Sequence, residues 1–238
     1  TNASFTGNEN DPFDTRLINI NGRRTIGNVA FTATSRATRS EVDFDPSPFP
    51  NFVPVDGNRR SDNQNTLIGV SSQWMGSKSW SPIIQLSSSR SNTTQIADGI
   101  DIESSLGTRR ALAVSNTFHI GSQQLSFRAA HQVESVSRRG PPTDFGDPNV
   151  DQTTRSSNIA THYLYRWKKI VTSTVIRYDH NSAFKNAATF AASVSLETGR
   201  TSWFSRFASG IKNPSFVERF GYTPDTFIGN PTIEGFPM

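Results

Sequence analysis

The chain contains no cysteine, and this absence excludes several kinds of chemistry. Without thiols there is no disulfide framework, no thiolate metal site and no cysteine nucleophile. No apolar run approaches the roughly 20 residues that a transmembrane helix requires. Apolar residues are only 34% of the 238 residues and charged residues only 18%. That balance is too polar for the core of a large α/β enzyme and too weakly charged for a typical disordered chain.

Signatures of catalysis are missing as well. The sequence has no Gly-x-Ser-x-Gly, His-Glu-x-x-His or Gly-x-Gly-x-x-Gly motif. The four histidines fall in separate segments without the spacing of metal ligands; they are His119, His131, His162 and His180. We therefore predict that the protein is not an enzyme and that it uses no cofactor and no metal.

Alternation of apolar and polar residues is what the sequence has instead. Eight segments alternate cleanly, as where Ile84 and Leu86 are interleaved with Gln85 and Ser87. A period of two puts the apolar residues on one face of a β-strand and the polar residues on the other. Three less regular segments bring the prediction to about eleven strands in a single domain, residues 1–238.

Short turns and longer polar loops alternate between these strands. The sequence predicts short turns at Asn21–Gly22, Gly76–Lys78, Gly121–Gln123, Lys168–Lys169 and Thr198–Arg200. It predicts longer loops at residues 45–64, 92–105, 138–152 and 181–186. Tight turns at one end and long loops at the other are typical of an outer-membrane β-barrel of a Gram-negative bacterium.

The four tryptophans support this interpretation. All of them lie within a few residues of a predicted short turn and on the apolar side of their strand; they are Trp74, Trp80, Trp167 and Trp203. Indole rings favour the membrane–water interface, because the ring is half-buried there while its N–H stays hydrated. We predict one interfacial aromatic girdle, with ordinary strand packing as the alternative.

An open sheet of eleven strands cannot lie in lipid, because each unpaired backbone group would cost several kcal/mol there. Either the sheet is not embedded in a membrane or the chain is part of a larger barrel. We favour the second and expect an all-β, antiparallel, up-and-down transmembrane barrel, with this chain incomplete at both ends.

One stretch carries a more specific resemblance. "ASGIKNPSFVERFGYTPDTFIGNP" resembles a segment of TonB-dependent outer-membrane receptors, and "VIRYDHNSAF" upstream resembles a strand and loop of the same family. The resemblance covers about residues 171–231, and the rest matches only as alternating strands. The matching positions are Asn213, Pro214, Phe216, Glu218, Phe220, Gly221, Gly229, Asn230 and Pro231, and the resemblance implies that the last three open the next long strand. The family's continuation after Pro231 is absent, since the chain reads Thr232-Ile233-Glu234-Gly235 instead.

The resemblance implies about half of a 22-stranded barrel whose plug lies outside this sequence. It implies a ligand-gated receptor that takes up a scarce nutrient such as a ferric siderophore, cobalamin or a glycan, with energy supplied through TonB. The implied partners are TonB, a small-molecule or metal-chelate ligand, and outer-membrane lipid. A passive porin, or a soluble surface β-protein such as a lectin or adhesin, is the alternative.

Candidate ligand-binding residues come from this stretch and from the polar face. Phe216, Phe220 and Tyr222 either form a turn or line a ligand vestibule. Arg177 and Arg206 fall on the polar side of their strands, where a barrel lumen would lie.

The excess of basic residues, 24 Lys and Arg against 20 Asp and Glu, favours an anionic partner. Lipopolysaccharide phosphates or an anionic chelate would fit arginines near the loops. Nucleic-acid binding gains no support from the strand pattern. Asp144, Asp147 and Asp151 have a spacing with which carboxylates bind Ca²⁺, and a solvated acidic loop is the alternative.

Overall fold

A computed structural model describes residues 11–48, 50–223 and 226–237. Ten long strands lie in one sheet in chain order. They are β1 (Phe13–Ile26), β2 (Val29–Phe44), β3 (Arg59–Trp74), β4 (Trp80–Ala97), β5 (Ile100–Ile120), β6 (Gln123–Arg139), β7 (Val150–Trp167), β8 (Ile170–Asn181), β9 (Ala187–Thr198) and β10 (Thr201–Ala208).

Each strand pairs antiparallel with the strand before it and the strand after it in the chain. This is an up-and-down meander, so the predicted all-β antiparallel fold is confirmed. The sheet contains ten strands where the sequence predicted about eleven. The eleventh, predicted at Thr1–Thr6, lies outside the described residues.

The register places the alternating apolar residues on a single face of the sheet. One pairing row runs through Ser72, Ile84, Val114, Ala129 and Ile159 on five successive strands. Directly paired residues point to the same side of a sheet, so the whole set shares what we call the apolar face. Its other prominent members are Ile18, Ile20, Phe31, Ile68, Val70, Leu86, Leu112, Phe127, Ile176, Tyr178, Phe190 and Phe207.

The strands are staggered, as barrel closure requires. The row starts at Ser72, two residues from the short-turn end of β3 at Trp74. Five strands later it passes Tyr178, eight residues from the short-turn end of β8 at Ile170. A stagger of six residues over five strands means that the strands tilt relative to the turn ends, and this tilt and stagger are linked in barrels.

The sheet has almost no core of its own. Among the described residues, the buried apolar side chains are only Ala30, Ala113 and Tyr222. The apolar face is instead open: Ile159 is 62% exposed and Phe207 is 69% exposed. A contiguous exposed apolar surface of this kind marks a site of contact with protein, ligand or membrane.

Two connections differ from the sequence prediction. Asn21–Gly22 does not form a turn: β1 continues to Ile26, and the turn follows at Gly27, whose φ of 57° suits glycine. This placement extends the ladder between β1 and β2 over 14 pairs.

The predicted loop at residues 92–105 is also wrong. Strands β4 and β5 remain paired almost throughout it and meet at a tight Asp98–Gly99 turn. Both turn residues have positive φ, 51° and 77°. Asp-Gly suits the hairpin turn in which both central residues are left-handed. The Ser- and Thr-rich stretch forms strand because its backbone groups are paired and its half-buried polar side chains find partners on the neighbouring strand, as where the Thr93 hydroxyl donates to Asn63 Oδ1 at 2.8 Å.

The chain after β10 leaves the sheet. It contains β11 (Ile211–Lys212), α1 (Phe216–Phe220), β12 (Tyr222–Thr223), β13 (Phe227–Ile228) and β14 (Phe236–Pro237). We call residues 211–237 the C-terminal segment. The sequence predicted that Gly229–Pro231 would open the next long strand. Instead β11 pairs with β14 and β12 with β13, so the segment closes on itself. Among the described residues, no helix is long and apolar enough to cross a bilayer.

Candidate functional site

Three arginines project from neighbouring parts of the polar face. Arg109 on β5, Arg128 on β6 and Arg177 on β8 line a groove of about 490 Å³. Arg128 donates to the side-chain oxygens of Gln85 and Ser115, at 3.3 Å each. These contacts hold the Arg128 guanidinium across the polar side of β5 and β4.

A second cavity lies nearer the loop end. Its volume is about 570 Å³, and its walls include Arg36, Arg109, Glu134 and the ring of Phe216. Arg109 and Glu134 are directly paired residues, with 3.5 Å between Nε and Oε1. Phe216 belongs to the C-terminal segment, so the segment covers part of the polar face.

Tyr222 anchors the segment to the sheet. Its side chain is buried and its hydroxyl contacts the Thr143 hydroxyl and donates to the Gly146 carbonyl at 3.1 Å. The Phe145 ring lies 5.9 Å away between centroids. From the wall, Arg138 donates to the Tyr222 carbonyl and lies over its ring at 5.7 Å.

The anchoring arginine is itself neutralised. Arg138 Nη2 lies 2.7 Å from Glu103 Oε2, and the Arg138 side chain is only 14% exposed. A guanidinium that is mostly buried requires such a carboxylate, because an unpaired buried charge is costly. Glu103 and Arg138 therefore form the polar base on which the C-terminal segment rests.

The short helix α1 is fixed by its first turn. The Glu218 N–H donates to Ser215 Oγ at 3.2 Å, and the Ser215 N–H donates to Glu218 Oε2 at 2.7 Å, which together form a capping box. Lys212 Nζ lies 3.2 Å from the other carboxylate oxygen. The Ser215 hydrogen bonds, followed by Lys212, lower the pKa of Glu218 from 4.5 to about 2.

Glycine permits a close backbone crossing behind α1. A Cβ on Gly229 would lie 2.5 Å from the Phe220 backbone nitrogen. At this crossing the Gly229 N–H donates to the Gly221 carbonyl at 2.8 Å, and the Asn230 N–H donates to the Glu218 carbonyl at 2.9 Å. The motif positions from the sequence thus build one compact turn.

Arg219 completes that turn from the other side. Its guanidinium donates to the Pro231 carbonyl at 3.2 Å and lies 5.0 Å from the centroid of the Phe184 ring. Lys185 pairs with Glu234 at 2.8 Å. The loop after β8 therefore holds the far side of the segment.

The predicted ligand residues are distributed unevenly. Phe216 and Phe220 lie together on α1, with ring centroids 6.3 Å apart, and both border cavities beside the wall. Tyr222 is enclosed by the chain's own groups, as described above. On the sheet, the pairing row places Arg206 level with Ser173, four residues along β8 from Arg177, so these two arginines are not brought together.

Arg177 has an acidic neighbour on its own strand. Its Nε lies 2.7 Å from Asp179 Oδ2. The sequence predicts Arg138, with the other arginines near the loops, as a contact for an anionic partner, and it predicts no role for Arg109, Glu103 or Glu134. Strand periodicity assigns these residues to the polar face, but only the cross-strand register shows which arginine meets which carboxylate.

The four tryptophans lie on the apolar face at the short-turn ends of β3, β4, β7 and β10. Trp74 and Trp80 are in contact, with centroids 5.1 Å apart, and Trp80 stacks on Phe118. The Trp80 indole N–H donates to Asn116 Oδ1 at 3.2 Å. Their role as a membrane girdle stays a prediction.

In the acidic loop, the carboxylates of Asp147 and Asp151 already have partners within the chain. Asp147 accepts from the Asn149 backbone N–H at 2.8 Å and from the Asn149 side chain, and these bonds lower the pKa of Asp147. Asp151 pairs with Arg139 at 2.6 Å. Within the described residues, no three His, Asp or Glu side chains are grouped as a metal site would require. Calcium binding by this loop stays untested.

Comparisons with known proteins identify the fold. No protein-family model and no curated protein matches the sequence. Among solved structures, the ferric preacinetobactin receptor BauA from Acinetobacter baumannii superposes on 87% of this chain with a TM-score of 0.60 at 9% identity. The RagAB peptide transporter superposes on 96% of this chain with a TM-score of 0.60 at 11% identity. The copper transporter OprC superposes on 92% of this chain with a TM-score of 0.53 at 9% identity.

The chain spans 41%, 38% and 48% of those three proteins, respectively. At such low identity the likeness is one of fold. That fold is the up-and-down sheet of outer-membrane β-barrels.

Proposed function

We propose that this chain is part of the barrel wall of a TonB-dependent receptor, which imports a scarce nutrient across the outer membrane of a Gram-negative bacterium. The observation that carries the proposal is a sheet with one apolar face and one arginine-lined polar face, across which the C-terminal segment folds. The apolar face suits lipid, and the polar face suits a lumen.

The solved structures of the same fold support import as the activity. They are a ferric preacinetobactin receptor, a peptide transporter and a copper transporter. For this chain the ligand would pass along the polar face, where Arg36, Arg109, Arg128 and Phe216 line the cavities. No covalent bond is made or broken in such a role, so the protein acts as a receptor and not as an enzyme.

The experiment that tests this proposal measures energised uptake. The polypeptide is expressed from its own gene in Gram-negative cells with and without TonB, and uptake of a labelled ferric chelate, copper and a labelled peptide is followed. We expect import of one of these probes to stop when TonB is missing or the proton gradient is collapsed. A small sugar that enters through ordinary porins is the control.

The alternatives give different results in the same cells. Import that continues without TonB would indicate a passive channel, in which the arginines of the polar face would favour anions. Recovery of the protein from the soluble or secreted fraction, without detergent, would indicate a lectin- or adhesin-like β-protein.

A further inference from the structure

Five arginines lie on the apolar face ten to twelve residues from the short-turn ends of their strands. Arg16 lies ten residues before Ile26, at the end of β1, and Arg39 lies ten residues after Val29, at the start of β2. Arg90 lies ten residues from the short-turn end of β4, and Arg110 lies ten residues from that of β5. Arg155 lies twelve residues from the short-turn end of β7. We call these five residues the basic belt.

The belt lies at the edge of an uncharged band. Between the belt and the short turns, only one described residue on the apolar face of β1–β10 is an Asp, Glu, Lys or Arg. That residue is Arg24, two residues from the end of β1. Ten residues of a strand tilted by about 40° rise roughly 25 Å, which is the height of the apolar band of an outer-membrane barrel. The belt therefore marks the level at which lipid tails end and headgroups begin.

The two ends of the belt differ in how their charge is neutralised. Arg16 pairs with Asp14 at 3.1 Å. Arg39 pairs with Glu41 at 2.9 Å and with Asp62 at 3.0 Å. On β4, β5 and β7, by contrast, no carboxylate among the described residues pairs with the side chains of Arg90, Arg110 and Arg155, which are exposed.

One apolar groove reaches Arg110, and a second groove lies beside the first. The first, of about 410 Å³, has a floor that includes Leu86 and Leu112 and ends at Arg110 and His131. The next, of about 330 Å³, runs over Ile159 and Tyr178 and also reaches His131. An apolar groove that ends at a cation has the chemistry to hold an acyl chain below and an anionic headgroup above.

We propose that Arg90, Arg110 and Arg155 form a binding site for the phosphorylated headgroup of lipopolysaccharide, whose acyl chains occupy the two grooves. The inference rests on the outer-membrane location in the proposed function. The belt lies toward the long-loop end, which faces the cell exterior in such barrels, so the adjacent leaflet is the outer one. Arg110 and Arg155 share a pairing row with one strand between them, about 10 Å apart, so one headgroup with two phosphates reaches both.

The test compares the two ends of the belt. The protein is expressed from its own gene and purified from outer membranes in detergent, with R110Q/R155Q as the test variant and R16Q/R39Q as the matched control. The probe is purified lipopolysaccharide in detergent micelles, and binding is measured by calorimetry at low salt. Heat-modified gel mobility reports whether each variant is folded.

We expect R110Q/R155Q to weaken lipopolysaccharide binding by roughly tenfold or more, because hydrogen bonds between charged groups are lost. The control, whose arginines are already paired with carboxylates, should change by less than roughly threefold. Equal losses in both variants, or no loss in either, would overturn the site. Full competition by inorganic phosphate, or equal binding of phosphatidylglycerol vesicles, would overturn the assignment to lipopolysaccharide.

Failure of the proposed function can be distinguished from failure of the headgroup site. If the wild-type protein is absent from the outer membrane, the receptor proposal is wrong. If it is present and folded, and the arginine variant still binds lipopolysaccharide normally, only the headgroup site is wrong.

Discussion

In the ten-stranded sheet, apolar side chains point away from the rest of the chain, whereas in the C-terminal segment the chain folds onto itself. Ile159 and Phe207 in the sheet are mostly exposed, and Tyr222 in the segment is 6% exposed. The sheet is stabilised within the chain mainly by its backbone ladders. The segment is stabilised by a capping box, close glycine crossings and specific ion pairs.

This difference indicates that the two regions depend on different surroundings. Among the described residues, β1 and β10 are the unpaired edges of the sheet, and in the proposed function its open apolar face contacts lipid while its edges pair with further strands. The segment carries its own set of contacts and is held by Arg138 and Glu103 of the sheet, by the loop around Gly146 and by the loop after β8. Substitutions should therefore separate the two regions cleanly.

Charge on the apolar face should give the largest effect. Ile159→Arg places a guanidinium in the uncharged band, and a charge at the bilayer midplane destabilises a barrel by about 2–4 kcal/mol. Its neighbour on the opposite face, Asn158, lines the arginine groove, so Asn158→Arg should cost much less. The measurement is the yield of heat-modifiable protein in the outer membrane together with urea unfolding in lipid vesicles.

Equal effects of these two adjacent substitutions would remove the distinction between an apolar and a polar face. If both proteins unfold alike, lipid does not contact the apolar face alone. That result would favour the soluble β-protein alternative.

Adding one methyl group to a glycine should have a smaller effect, in the C-terminal segment only. Gly229→Ala forces a Cβ to 2.5 Å from the Phe220 backbone nitrogen, whereas a Cβ on Gly69 in β3 would meet nothing closer than 4.0 Å. We expect Gly229→Ala to weaken docking of the segment by about 1–3 kcal/mol, as overpacking does. Trypsin cleavage after Lys212 and Arg219 should accelerate, while Gly69→Ala leaves it unchanged.

The sequence predicted the sheet far better than the segment. Period-two alternation assigned Ile84, Leu86 and Trp80 to one face, and the register confirms that assignment. It failed at residues 92–105, where half-buried Ser and Thr side chains suit a strand as well as a loop. What stabilises the C-terminal segment depends on contacts between distant residues, such as Tyr222 with Gly146, which no local pattern encodes.

The smallest expected effect is a pH response confined to the segment. Hydrogen bonds from Ser215 and Lys212 lower the pKa of Glu218 from 4.5 to about 2 in the folded chain. The capping box therefore contributes its full stability above about pH 4.5 and loses it as the pH falls toward 2. A nitroxide on Val217→Cys, the only cysteine in that variant, should report α1 becoming mobile in this range.

Two further substitutions identify Glu218 as the group that titrates. Glu218→Gln should leave α1 mobile at every pH, because the neutral amide accepts the Ser215 and Lys212 hydrogen bonds less strongly than the carboxylate does. Glu234→Gln, which removes an acid elsewhere in the same segment, should keep the transition. A label that becomes mobile in Glu218→Gln only below about pH 4.5 would show that another group opens the segment and that the capping box does not hold it.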